Sequence, residues 1–326
     1  MVSCSIVDVG HGNCAVATDG KRTIVVDAGL GNTLVDFSLH RGITSVDAVF
    51  VSHADDDHIG GLQQLLLHQA ITVRHLYLNP DHRQTRAFVQ LRRSIETARL
   101  EKRTLRVHPS LTTTDSQKLG DIGIGVLSPL PENALSTVHG RDLKGLRLSP
   151  HAMSAVLMIT NSDRPVALLP GDLDEHGLDL LLKSQEAKTA PLLVFPHHGG
   201  LAESRNLGRF AEQLYTAVRP HYVVFSTGRF RHGTPRAEIV AAIRRIAGEN
   251  VHFACTELSE WCAQKLPRFQ PSHLTPDPAH GKSERYCCAG TMTITVGEDE
   301  LFVPDRLQHS EFKRMYARSG LCRNRI

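Results

Sequence analysis

The sequence predicts a layered α/β fold, sheets covered by helices, on three observations. Short β-branched runs of strand length fall into two groups, with helical periodicity between and after them. Gly or an Asn-Pro pair closes several of these runs, as turns between strands require. The 326 residues are 41% hydrophobic and 22% charged, ordinary globular usage that excludes a disordered, collagen-like or coiled-coil chain. That length allows one large domain or two modest ones.

Taken in order, residues 5–9, 23–27 and 47–52 are strand candidates, the first two each ended by Gly. Residues 60–69 read as a helix with a Leu-rich face, 73–78 as a strand ended by Asn79 and Pro80, and 84–101 as a helix. Strands follow at 123–127, 154–160 and 166–169, then a helix at 178–184 and a strand at 192–195. A helix at 207–219, a strand at 222–226 and a helix at 236–247 complete the regular text. Beyond residue 248 the composition shifts toward Cys, Pro and His. There 270–280 reads as a loop, and 306–326, with several Arg, as a helix and tail. The expected organisation is one domain over 1–248 and a C-terminal elaboration, 249–326, packed on it.

Charge says little: 37 Lys and Arg against 34 Asp and Glu give +3, too small to imply a partner. No stretch approaches about 18 uninterrupted apolar residues, so no membrane partner is expected. The first residues lack the basic and long apolar segments of a signal peptide. Seven Cys, an odd number, argue against a disulfide framework. The expectation is a cytoplasmic, reducing setting in which these Cys and the 19 His are free to bind metal.

The sharpest feature is Ser52-His-Ala-Asp-Asp-Asp-His-Ile-Gly-Gly61, between a strand and a helix. His53, Asp55, Asp57 and His58 place four potential ligands within six residues. A loop can fold such a set around one or two cations, where a regular strand or helix would not. Imidazole with carboxylate suits Zn, Mn or Fe, and the extra carboxylates shift preference toward Mn. The alternative is a solvated acidic turn capping the next helix. Asp172 follows the strand at 166–169, and His197 and His198 follow the strand at 192–195. Strand ends that present His and Asp to one edge are what a dinuclear site needs. Neutral imidazole and ionised carboxylate are both accessible near neutral pH.

At these residues the chain resembles a metallo-β-lactamase-fold hydrolase, and within that group the stand-alone relatives of the C-terminal domain of the ComEC competence protein. The matching pieces begin with Asp8-Val-Gly-His-Gly-Asn13, Ile24-Val-Val-Asp27-Ala-Gly29 and the 52–61 loop. They continue with Ser154 before a strand, Leu169-Pro-Gly-Asp172, Pro196-His-His-Gly199, Phe225-Ser-Thr-Gly228 and Arg231-His-Gly-Thr-Pro235. They run in the family's order across residues 2–248. The resemblance implies a four-layer αββα sandwich with the site at one edge of the two sheets, here followed by a Cys-containing extension. It implies two divalent cations, Zn or Mn. His53 and Asp55 would serve one, and Asp57 and His58 the other. Asp172 would bridge, His197 would complete the second site, and His198 is a neighbouring candidate. Asp55 stands where the superfamily's usual loop has a second His. Asp27 would orient the loop from behind.

Two departures from the branch matter. Thr234 stands where the branch shows His in Gly-His-Pro, and a hydroxyl cannot replace an imidazole as general acid. Either His232 does that work, as the catalytic candidate beside Asp57, or no residue does. The branch tends to have Asn before the strand that contains Ser154, whereas here the text is His151-Ala-Met-Ser154. His151 is then either a third ligand on the first cation or a surface His. His11 is either an addition to the site or a loop His that hydrogen-bonds locally.

The implied chemistry is hydrolysis, because two cations about 3.5–4 Å apart activate water and stabilise charge on a phosphoryl group. The sequence shows no convincing Ser nucleophile elbow, P-loop or dinucleotide fingerprint. From His82 to His108, Arg83, Arg86, Arg92, Arg93, Arg99, Lys102, Arg103 and Arg106 face only Glu96 and Glu101. They form either a phosphate-tracking patch or a solvated helix face. Arg229, Arg231 and Thr234, with Phe230 and His232, are expected to grip a phosphate and stack a base. The resemblance points the same way, to a nuclease or phosphodiesterase on nucleic acid, in DNA processing or bacterial defence. Two alternatives stand beside it: a small-molecule ester, lactone, thioester or nucleotide hydrolase, and a partner-dependent effector subunit inert alone.

Cys255, Cys262, Cys287 and Cys288 could hold one structural Zn, although neither pair has the usual two-residue spacing. The other reading is buried, reduced thiols acting as small hydrophobes. Cys4, Cys14 and Cys322 show no partner pattern and read as structural.

Overall fold

The computed structural model describes all residues except 82, 83, 103, 137, 138, 185, 186, 231, 298, 321 and 324–326. The first strands are β1 (Ser3–Ile6), β2 (Ala15–Thr18), β3 (Thr23–Val26), β4 (Ser45–Val51), β5 (Thr72–Leu78) and β6 (Arg106–His108). Next come β7 (Gln117–Leu119), β8 (Ile122–Ser128), β9 (Val156–Asn161), β10 (Arg164–Leu169), β11 (Leu192–Val194) and β12 (Tyr222–Phe225). The last are β13 (His252–Cys255), β14 (Met292–Val296) and β15 (Glu300–Val303). One sheet runs β15-β14-β1-β2-β3-β4-β5-β6 and the other β13-β12-β11-β10-β9-β8-β7.

Period-2 alternation separates the faces of each strand. Ile24 and Val26 of β3 point between the sheets with Phe50, and meet Ile124, Leu157 and Val224 of the second sheet. Val25 points outward, into a cluster with Leu34, Leu65 and Phe88. Those three belong to α1 (Thr33–His40), α3 (Leu62–Leu67) and α4 (Arg86–Lys102), with α2 (Asp56–Ile59) before α3. After α5 (Pro131–Leu135) come α6 (Glu175–Lys183), α7 (Leu207–Val218), α8 (Ala237–Ala247) and α9 (Arg306–Tyr316). They supply Leu178, Phe210, Ile243 and Phe312 to the outer face of the second sheet. The result is the four-layer αββα sandwich. Among the described residues no helix is long and apolar enough to cross a membrane.

The segment after residue 248 contributes to both sheets. β13 lies parallel to β12 at one edge. β14 pairs antiparallel with β1, and β15 folds back on it. The loop near 270–280 is pinned by Arg41, whose guanidinium donates to both carboxylate oxygens of Asp277 at 2.5 and 2.6 Å. His273 Nε2 donates to the Cys288 carbonyl at 2.7 Å.

The helix expected over 60–69 is shorter, α3 alone, and a separate single turn, α2, precedes it, with Gly60 and Gly61 between the two. A Cβ at Gly61 would lie 2.4 Å from the Ala28 carbonyl oxygen. The ligand loop is thereby pressed onto the chain that leaves β3.

Candidate metal centre

The ligands stand just past the C-terminal ends of strands from both sheets, Asp57 and His58 in the single turn α2 and the others on the connecting segments. His53, Asp55, Asp57 and His58 follow β4, Asp172 follows β10, and His197 and His198 follow β11. Gly171, at φ +56°, makes the turn that brings Asp172 up; a Cβ there would come within 2.4 Å of Ser154 Oγ. Ser154 Oγ then accepts the Asp172 backbone N–H at 3.1 Å.

Asp172 is central. Its Oδ1 lies 3.3 Å from His58 Nε2 and 3.8 Å from His198 Nε2. Its Oδ2 lies 3.4 Å from His197 Nδ1 and 4.0 Å from His53 Nε2. On one side, Asp55 Oδ2 sits 3.3 Å from His53 Nε2 and 3.2 Å from His151 Nε2. On the other, Asp57 Oδ2 sits 3.0 Å from His198 Nε2 and 3.8 Å from His11 Nε2. The carboxylate of Asp172 thus faces both groups, as a bridging ligand would.

Hydrogen bonds from behind fix the rings. Asp27 Oδ2 accepts from His58 Nδ1 at 2.7 Å, and its Oδ1 accepts the Ser52 backbone N–H at 2.8 Å. His198 Nδ1 donates to the Ser226 carbonyl at 2.7 Å, which turns Nε2 toward Asp57 Oδ2. His151 Nδ1 pairs with Glu203 Oε1 at 2.9 Å. Asp81 Oδ2 accepts the Ala54 N–H at 3.3 Å and steadies the loop. Glu203 and Asp81 carry no sequence signal of their own, since each acts across the fold.

The residues present fit a cation. His53 Nε2, His58 Nε2 and His197 Nε2 are buried and make no hydrogen bond, an arrangement that is costly without a ligand. Burial alone would raise the Asp172 carboxyl, but His58, His198 and His197 hold it well below the ordinary carboxylate range. Burial would likewise raise Asp57, and its hydrogen bond from His198 and the nearby His58 hold it below. Burial pushes His197 down to about 4 against the pull of Asp172, so its imidazole is neutral. Ionised carboxylates and neutral imidazole are the forms that ligate Zn or Mn.

Residues 7–220 match the family model of the metallo-beta-lactamase superfamily. The chain belongs to the metallo-β-lactamase superfamily. Its centre is that of a metal-dependent hydrolase of that superfamily. No curated protein sequence matches. Solved structures of similar fold include the metallo-β-lactamase fold protein YhfI from Bacillus subtilis, 12% identical over 78% of this chain and 96% of that one, TM-score 0.48. Another is Igni18, a metallo hydrolase from the archaeon Ignicoccus hospitalis, 14% identical over 78% and 94%, TM-score 0.44. A diphosphatase from the PhnP family is 11% identical over 74% and 92%, TM-score 0.41. None of these likenesses bears on what this chain acts upon.

In this metallo-β-lactamase centre the cleft holds about 360 Å³, walled by Asp55, Asp57, His151, Asp172, His197 and His198 together with His11, His232, Thr234 and Arg236. The His232 ring stands 4.8 Å from that of His11, at the exposed side. Thr234 is buried, and its hydroxyl pairs with that of Thr227. Arg231 lies outside the described residues, as do His82, Arg83 and Arg103 of the basic segment.

Arg229, expected at the substrate, is buried instead. Its guanidinium donates to the carbonyls of Leu258 at 2.9 Å, Ser259 at 3.4 Å and Ala263 at 2.8 Å. Arg236, which the sequence reading passed over as a helix start, stands in the cleft wall.

The expected Zn set does not assemble. Cys287 Sγ faces Asp8 Oδ2 at 3.5 Å, while Cys288 Sγ faces His309 Nε2 at 3.3 Å. Adjacent residues of an extended chain point to opposite sides. Among the described residues, no group of three candidate ligand atoms within 4.8 Å of one another includes a thiol. Cys255, Cys262, Cys288 and Cys322 pack in the apolar layer under α8 and α9.

Proposed function

We propose that the chain hydrolyses phosphodiester bonds, with nucleic acid as its substrate class. The observation that carries this reading is Arg236, among the described residues the one Lys or Arg side chain that lines the cleft of the metal centre. A guanidinium matches the paired oxygens of a phosphoryl group. Among the described residues Leu201 is the one large apolar side chain in the same lining, so the cleft offers little to the acyl chain of a lactone or thioester.

Bound divalent cations supply Lewis acidity and an activated water at neutral pH. His53, Asp55 and His151 would hold one, and Asp57, His58 and His198 the other, with Asp172 between and His197 beside it. Arg236 binds and orients a phosphoryl oxygen. His232, at the open side of the cleft, can give a proton to the leaving oxygen. Arg86, Arg92, Arg93 and Arg99 are exposed on α4, which packs against α2 of the ligand loop. They offer a strand's phosphates a track.

The test is incubation of the purified chain with labelled single- and double-stranded DNA and RNA, with Mn or Zn, beside an Asp57→Ala/His58→Ala double variant. Metal-dependent cleavage lost in the variant is the expected result. No cleavage with metal still bound, by elemental analysis, would move the reading to a small ester or to an absent activating partner.

A further inference from the structure

We propose that a second cavity beside the metal centre is a subsite for a nucleobase, with Trp261 as its stacking face. The proposal rests on the phosphodiester reading above. The cavity holds about 610 Å³, within the range of about 300–1,000 Å³ usual for small-ligand pockets. His232 and Arg236 line both this cavity and the metal cleft. The wall between the two spaces is therefore the place where Arg236 meets a phosphoryl oxygen. A phosphate held there puts its own nucleoside at the mouth of the second cavity.

Trp261 is the only Trp in the chain, and it is 76% exposed. A bare indole beside a catalytic cleft gains when a flat apolar partner covers it. One edge of the ring rests on Gly233, where a Cβ would lie 2.8 Å from the indole Nε1. Gly233, at φ +59°, thus lets the ring approach the loop that carries His232 and Thr234. Val240, Cys255 and Cys322 give the cavity an apolar floor, and Ser259 and Glu260 add polar groups for the base edge. Stacking on an aromatic face accepts every base, so the subsite selects a nucleotide without selecting a sequence. A free dinucleotide and a strand of nucleic acid share this chemistry.

The single Trp makes the protein its own reporter. The Asp57→Ala variant is titrated with a thymidine dinucleotide, a ten-residue oligothymidylate and dimethyl phosphate. Saturable quenching of the indole by either nucleotide, with none by dimethyl phosphate, is expected. Quenching by both assigns a nucleotide-sized ligand, and quenching by the oligomer alone assigns a strand. In the metal-loaded wild type, Trp261→Ala should raise KM for the preferred nucleotide at least about fivefold with kcat nearly unchanged, and Trp261→Phe should recover most of the loss. No quenching with KM unmoved would overturn the subsite even if phosphodiesters are cleaved. Quenching without cleavage of any phosphodiester would keep the subsite and sink the proposed function.

Discussion

His58 Nδ1 donates to Asp27 Oδ2 at 2.7 Å, and this contact aims the opposite ring nitrogen at Asp172. Asp27 is buried and sits at φ +56°, a conformation Asn also tolerates. Asp27→Asn should keep the fold yet weaken metal binding about 10- to 100-fold, measured by competition with a chelator. Unchanged affinity would show that packing alone orients the ring.

His197 and His198 are neighbours with unequal places. His198 Nε2 stands 3.0 Å from Asp57 Oδ2, on the side away from Asp55 and His151. His198→Ala should remove the cation on the Asp57 side and keep the other, so elemental analysis would read about half the wild-type metal. Loss of both ions, or of neither, would contradict this division of ligands.

Arg229 and Arg236 should separate stability from activity. Arg229→Met leaves buried carbonyls without donors and should cost about 2–3 kcal/mol in urea unfolding. Arg236→Ala, at an exposed position, should leave stability within about 0.5 kcal/mol. It should lower kcat/KM about 10- to 100-fold, the worth of a hydrogen bond to a charged group. The opposite pattern would return Arg229 to the substrate.

The cysteines offer a direct count. Six of the seven are buried and free, and Cys262 is half-buried. A thiol reagent should therefore label one Cys quickly in the native protein and all seven after denaturation. Native protection that a chelator abolishes would revive a structural Zn.

A buried pair of imidazoles sets an acid limit. His252 Nε2 and His309 Nδ1 lie 3.0 Å apart, and His309 Nε2 meets Cys288 Sγ. Burial, with Lys313 nearby, pushes His252 down to about 2 and His309 well below the ordinary imidazole range. The folded state keeps both neutral while the unfolded chain protonates them near pH 6.5. Their stability is present above about pH 6.5 and is lost as pH falls, by about 1.4 kcal/mol per pH unit for each His. Urea titrations at stepped pH should show this slope, reduced by about one proton in His309→Gln. An identical slope in that variant would place the acid sensitivity elsewhere.

Local text was enough for the layered class and for the order of the loops that carry His53, Asp57, His58 and Asp172. β-branched runs specify strands, and a ligand-rich break between a strand and a helix specifies a loop. The short strands β2, β6 and β7 were not legible, because three or four residues of mixed character become strands only through their neighbours' hydrogen bonds. His151 was ambiguous for the same kind of reason. It reaches Asp55 from 96 residues away, and a contact of that separation exists only once two sheets have packed. The sequence by itself thus determined which chemical groups crowd one edge of the sandwich. Tertiary structure decided their facing. It turned His198 toward Asp57 through positive φ angles at His197 and His198. It sent Cys287 and Cys288 to opposite sides, buried Arg229 among carbonyls and set Arg236 in the cleft. Side-chain direction depends on backbone torsion and on what packs behind it, and neither is written in the identity of the residue.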